Sequence, residues 1–259
     1  MAFLKPDNTF NIYGVKVNEY NVLKHNTNKI AMPELMSGKL IGVTIHNTEN
    51  IKVNGTTMSE QYTRATVNGN MGTVRVHYYV DGVEAWQNLP LTQQSWHCGQ
   101  KGRADNNASV LGNASTISIE CIMGSVKDSA SEDNCAKLAA YILNKYGLTI
   151  DRLYTHNYWC NVRNGKTGSV DELNMLDDGY KGCPIFIRPH WYEFKTVVYN
   201  YMRQFKSVTE ESVNPETSYQ YLVVKQLGAY SNSDNADKML KEMKKKDPDG
   251  YYRVLKMKR

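Results

Sequence analysis

The sequence predicts an α/β fold, a mixed central β-sheet flanked by helices, followed by a small C-terminal βαβ module. Three observations predict it. Short apolar runs of strand length alternate with longer stretches in which apolar residues recur every three or four positions. A turn dipeptide, Asp81-Gly82, separates two of the strand-like runs, as in a hairpin. Past residue 205 the helical periodicity stops, and patterned sequence resumes only in a short cationic tail.

Taken in order, residues 41 to 46, 74 to 80, 83 to 88 and 115 to 122 read as strands, and Thr57 to Asn68 reads as a helix between the first two. Ser129-Ala130-Ser131-Glu132 is a capping-box pattern. It opens a helix whose apolar face is Cys135, Leu138, Ala139, Ile142, Leu143 and Tyr146. Pro189 suits the first turn of a last helix with Trp191, Phe194, Val198, Tyr201 and Phe205 on one stripe. These stripes are core, and residues 1–205 form one domain. Residues 206–217 lack an apolar period and read as a linker. Residues 218–259 read strand, helix, strand: Tyr221 to Val224, Asp234 to Lys246, Tyr251 to Leu255.

The formal net charge is +5, and residues 219–259 alone hold ten Lys or Arg against five Asp or Glu, also a net of +5. The rest of the chain is therefore near neutral, and the tail carries the cationic surface suited to anionic polymers. No nucleic-acid partner is expected. At about forty residues the tail is too small to bury a comfortable core, so it is expected to dock on the first domain or to pair with a copy of itself in a homodimer. A chain of 259 residues, 41% hydrophobic, suffices for one sizeable core and a small module. No run approaches the roughly 20 apolar residues of a membrane span. The N-terminal residues lack a signal-peptide pattern. Five cysteines, an odd number without a CxxC pair, argue against a disulfide framework and a zinc ribbon; Cys98, Cys121, Cys135 and Cys160 fit small buried hydrophobes.

Chemistry enters at His46, which ends the apolar run Ile41-Gly42-Val43-Thr44-Ile45. With His156 and Cys183 it supplies two borderline nitrogen ligands and one soft sulfur, a set that leaves tetrahedral Zn2+ one position open for water. Glu120 is the candidate proton carrier and Lys181 the cation beside a developing oxyanion. By strand period Glu120 shares a face with Ser118, while Ile117 and Ile119 point into the core.

Five segments occur in a familiar order: Thr44-Ile45-His46-Asn47-Thr48, His77-Tyr78-Tyr79-Val80-Asp81, Trp96-His97-Cys98-Gly99, Thr116-Ile117-Ser118-Ile119-Glu120 and Lys181-Gly182-Cys183-Pro184. Over roughly residues 35 to 205 the chain resembles the zinc-dependent type-2 N-acetylmuramoyl-L-alanine amidases, relatives of peptidoglycan recognition proteins and phage endolysins. The resemblance implies that family's fold, a Zn2+ cofactor, bacterial peptidoglycan as substrate, and hydrolysis of the muramyl-L-alanine amide. It implies wall lysis after release from the cytoplasm, in the manner of a holin-dependent phage endolysin. Asn47, Trp96 and His97 are the expected substrate-binding residues. Two features depart from the family pattern. The interval 157–180 reads as an inserted glycine-rich loop, which makes Cys160 a rival to Cys183; the Lys181 and Pro184 flanks favour Cys183. Val76 stands where some relatives place a catalytic tyrosine, which the glutamate branch does not need. The tail resembles half of a SPOR-type peptidoglycan-binding repeat. A peptidoglycan-binding module without activity is the alternative.

Overall fold

The computed structural model describes residues 3–36, 39–49, 57–99, 107–125, 128–177 and 182–210, with residues 238, 241, 242 and 245 of the tail. The chain divides into two units, Met1–Val208 and Thr209–Arg259. The strands expected in the tail and the cationic residue Lys181 lie outside the described residues.

The first unit is built on a seven-stranded sheet: β1 (Asn8–Ile12), β2 (Val15–Glu19), β3 (Gly42–Glu49), β4 (Tyr78–Val80), β5 (Ala85–Gln87), β6 (Thr116–Met123) and β7 (Leu153–Thr155). Its spatial order is β1-β2-β5-β4-β6-β3-β7. The β1–β2 and β4–β5 pairs are antiparallel, and the other neighbours are parallel. The sheet is thus mixed, as the sequence predicts. Asp81 closes the β4–β5 turn by accepting from the backbone N–H groups of Val83 and Glu84 at 2.8 and 3.0 Å. This is the Asx chemistry that makes Asp a turn residue.

Six α-helices accompany the sheet among the described residues: α1 (Met58–Val67), α2 (Asn107–Ser115), α3 (Ser129–Lys145), α4 (His156–Arg163), α5 (Val170–Met175) and α6 (Trp191–Glu210). Thr57 caps α1. The expected capping box of α3 is not the one used. Asp128, one residue earlier, accepts from Ser131 N, and Glu132 instead pairs with His190 Nε2 at 2.8 Å. A carboxylate reaches the first-turn N–H groups at least as well as a serine hydroxyl, so the cap moves back by one residue. The α3 face Cys135, Leu138, Ala139, Ile142 and Leu143 is wholly buried. In α6, Trp191, Phe194 and Val198 are buried as predicted. Tyr201 turns aside to donate to Asp133, and Phe205 stacks on Tyr13. The helix continues to Glu210, past the end of the apolar stripe, because Lys206 to Glu210 contains neither Gly nor Pro to stop it.

The interval 157–180 is not a plain loop. It holds α4 and α5, with Gly165 and Gly168 in the turn between them. Ser169 and Glu172 form a reciprocal capping box at α5. Lys195 of α6 is fully buried and ties this insertion down, 3.0 Å from both Asp171 and Asp151.

Strands β3 and β6 lie inside the sheet, and along β6 only Glu120 escapes full burial. Their alternation therefore separates two covered faces rather than core from solvent. Ile117, Ile119, Val43 and Ile45 are fully buried residues of one parity. The other parity is polar, with Thr44, His46, Thr116, Ser118 and Glu120, and its register runs Thr44↔Ser118 and His46↔Glu120. No described helix is long and apolar enough to cross a membrane.

Candidate metal centre

The carboxyl ends of three adjacent parallel strands meet at one edge of this polar face. His46 lies near the end of β3, Glu120 lies beside it on β6, and β7 ends at Thr155, directly before His156. Thr155 caps α4 by accepting from Tyr158 N, so the helix begins on the imidazole. Cys183 reaches the same point on the return from α5. Its carbonyl accepts from Asn157 N at 2.9 Å, and Asn47 Oδ1 accepts from Phe186 N and Ile187 N at 2.9 and 3.1 Å.

Among the described residues, His46, His156 and Cys183 form a group whose ligand atoms all lie within 4.8 Å of one another, and all three are buried. His46 Nδ1 is 3.1 Å from His156 Nδ1 and 3.8 Å from Cys183 Sγ. The edges of a zinc tetrahedron with two imidazoles and a thiolate are about 3.3 Å for N–N and about 3.6 Å for N–S, from bond lengths of roughly 2.0–2.1 and 2.3 Å. The donor chemistry fits as well. His156 Nε2 lies 2.9 Å from the Gly99 carbonyl, which can only accept, so the proton sits on Nε2 and the Nδ1 lone pair faces the group. A buried lone pair aimed at a second nitrogen and a sulfur suits a borderline divalent cation.

Glu120 Oε1 is 3.8 Å from His46 Nδ1, and its side chain is 14% exposed. It stands beside the three donors with access to an open cleft of about 510 Å3, lined by His46, Asn47, Thr48, Tyr62, Val74, His97, Glu120, His156, Gly182, Cys183 and Ile185. Tyr79, opposite Glu120 on β4, is wholly buried, and burial raises its phenol pKa. His77 is not at the centre. It is buried against Ser118 and the Gln93 carbonyl, and burial pulls its pKa down to about 4.

The three residues expected to touch substrate fall in different places. Asn47 lines the cleft, but its amide also donates to Cys121 O at 3.1 Å while its oxygen holds the Cys183 loop. His97 lines the cleft with its ring against His46, Nδ1 to Nε2 at 2.7 Å. Trp96 pairs its backbone with Arg75 and does not line this cleft. Cys160, the rival thiol, lies one turn along α4 from His156 and outside the three-residue group. Thr48, Tyr62, Val74 and Ile185 were not anticipated, because nothing in their local sequence separates a cleft wall from ordinary core.

The chain is similar to known proteins in sequence and in fold. The amidase XlyB of Bacillus subtilis (strain 168), an N-acetylmuramoyl-L-alanine amidase, is 31% identical over 130 residues, 49% of this chain and 37% of the relative. CwlA of the same organism, also an N-acetylmuramoyl-L-alanine amidase, is 25% identical over 175 residues, 66% of this chain and 53% of the relative. The chain thus spans between about a third and a half of these relatives. A mutant endolysin from Bacillus subtilis superposes with a TM-score of 0.52 at 21% identity, covering 71% of this chain and 99% of the endolysin. The catalytic domain of XlyA gives a TM-score of 0.51 at 19% identity, again over 71% of this chain and 99% of the domain. Both share the fold. The family profile for N-acetylmuramoyl-L-alanine amidase matches residues 37–169, half of the chain and the stretch that carries His46, Glu120 and His156, and the chain belongs to that family.

Proposed function

We propose that the protein hydrolyses the amide between N-acetylmuramic acid and L-alanine in bacterial peptidoglycan, with Zn2+ held by His46, His156 and Cys183. The observation that carries this reading is the convergence of two imidazole nitrogens and a thiol within 4.8 Å, beside Glu120 and open to a cleft, in a chain of this family. Bound there, Zn2+ supplies Lewis acidity, which acidifies a water and polarises the scissile carbonyl. Glu120, beside the donors rather than among them, takes the proton of the attacking water and returns it to the leaving amine. Lys181, two residues before Cys183, steadies the developing oxyanion. Thr48, Tyr62, Val74 and Ile185 offer a partly apolar wall to the substrate.

The wider role we propose is endolysin-type lysis of the wall, supported by the endolysin among the structural relatives. Residues 218–259 then hold the enzyme on anionic wall polymers or pair two copies, a role supported by their net charge. The test is mass analysis of digested peptidoglycan. New free amino termini on L-alanine, abolished by chelation and restored by Zn2+, are expected. Reducing sugar ends, or the absence of any product, would overturn the assignment. Glu120→Ala should keep its zinc while losing at least about 10²-fold in turnover; loss of the metal instead would make Glu120 a ligand.

A further inference from the structure

A chain of buried polar side chains leads away from the three donors and is not used in the reaction. Trp159 Nε1 donates to Thr44 Oγ1 at 2.9 Å. Thr44 and Thr116 share a hydroxyl bond at 2.9 Å, and Thr116 donates to the Gly112 carbonyl at 2.7 Å. An indole N–H can only donate and a carbonyl can only accept, so every proton between them has one direction: Trp159 to Thr44, Thr44 to Thr116, Thr116 to Gly112. The remaining lone pair of Thr116 Oγ1 lies 3.3 Å from His97 Nε2. That nitrogen therefore carries the proton of His97, leaving Nδ1 as an acceptor. Cys98 Sγ, 3.1 Å from Nδ1 and 3.5 Å from Nε2, is nearly equidistant from both and so lies over the ring face, off the line of the Nδ1 lone pair.

We infer that His97 is a positioning residue: its Nδ1 accepts from His46 Nε2–H and fixes the His46 tautomer whose Nδ1 lone pair faces His156 and Cys183. The competing tautomer, with the proton on His46 Nδ1, would set two lone pairs against each other across the 2.7 Å between His46 and His97. The arrangement is rigid. Thr44, Thr116, Trp159 and His97 are all buried, and a Cβ on Gly112 would come within 2.6 Å of Cys98 Sγ and 2.9 Å of the Trp159 ring. Second partners of this kind typically change metal affinity by about 10–100-fold.

The functional meaning rests on the zinc reading above, but the tautomer does not, and the two are measured separately. In the zinc-free full-length protein, long-range ¹H–¹⁵N correlation of the imidazoles should report His46 as Nε2–H. His97→Leu should mix the tautomers and weaken zinc binding by about 10–100-fold. His97→Asn, which puts an amide oxygen near the place of Nδ1, should keep both within a few-fold. Thr116→Val, one bond further out, should fall between them, and it carries the test should His97→Leu fail to fold. A His46 found as Nδ1–H in the wild type, or a wild-type tautomer and zinc affinity in His97→Leu, would overturn the inference. A wild-type protein that binds no zinc would overturn the proposed function and leave the tautomer result to decide this one.

Discussion

Asn47→Ala separates a residue that touches substrate from one that holds the site together. The carboxamide makes four contacts, accepting from Phe186 N and Ile187 N and donating to Cys121 O and Met123 Sδ. Ile187 is fully buried, so its N–H loses its partner with no water to replace it, at about 1–3 kcal/mol. Phe186 and Asn47 are half-buried, so water that replaces the lost side chain recovers part of the bonds to Phe186 N and Cys121 O; they add about 0.5–1 kcal/mol each. The sum is about 2–5 kcal/mol. It falls on the segment that presents Cys183 to His46, so zinc affinity should drop with stability. Urea unfolding of both proteins, zinc titration with a competing chelator, and KM on soluble muropeptides are the assays. Stability within about 1 kcal/mol of wild type, unchanged zinc affinity and a raised KM would refute the anchoring argument and make Asn47 a substrate contact.

Three further outcomes follow from the same geometry. His77 has a folded-state pKa of about 4 against 6.5 when exposed, so the folded state binds fewer protons, and the stability it contributes is full above pH 6.5 and lost as pH falls toward 4. The loss is on the order of 3 kcal/mol, so His77→Gln should flatten the fall in urea-measured stability across that window. Lys195→Met removes the buried ammonium that pairs with Asp171 and Asp151. It should cost about 3 kcal/mol, less than a fully enclosed pair because Asp151 is 65% exposed, and Asp171→Asn added to it should recover part of the loss in thermal unfolding. Cys183→Ser should lose metal and activity, while Cys160→Ser should keep both; the reverse pattern in a zinc-content assay would move the third ligand to α4.

The buried centre of the fold was legible because Val43, Ile45, Ile117 and Ile119 alternate with polar residues along β3 and β6, the period of strands with one face in a core. The β4–β5 turn was legible from the dipeptide Asp81-Gly82. What escaped had weak local signals. The hairpin of β1 and β2 is short and rich in Asn, and α2 carries Gly112 in mid-helix. In the 157–180 interval, glycines that belong to one turn masked the helices on either side, although Ser169-x-x-Glu172 was a start signal. At the site, strand parity put Glu120 on the same face as Ser118, and the register aligned it with His46. Parity could not say that this polar face is covered. Nor could it reveal that Thr44 and Thr116, bland in sequence, face each other beneath the histidines.

Thr155 N is bonded to Asn174 Oδ1, and the side-chain amides of Asn157 and Asn161 both donate to the Leu176 carbonyl. These cross-ties join the two ends of the α4–α5 insertion independently of the peptide that runs through Gly165 and Gly168. A protease that nicks the exposed turn between the helices would therefore yield two fragments that stay associated, with His156 on one and Cys183 on the other, still facing each other. Covalent continuity between these two residues is then dispensable once folding is complete, and the turn is a natural place to insert a reporter or a tag.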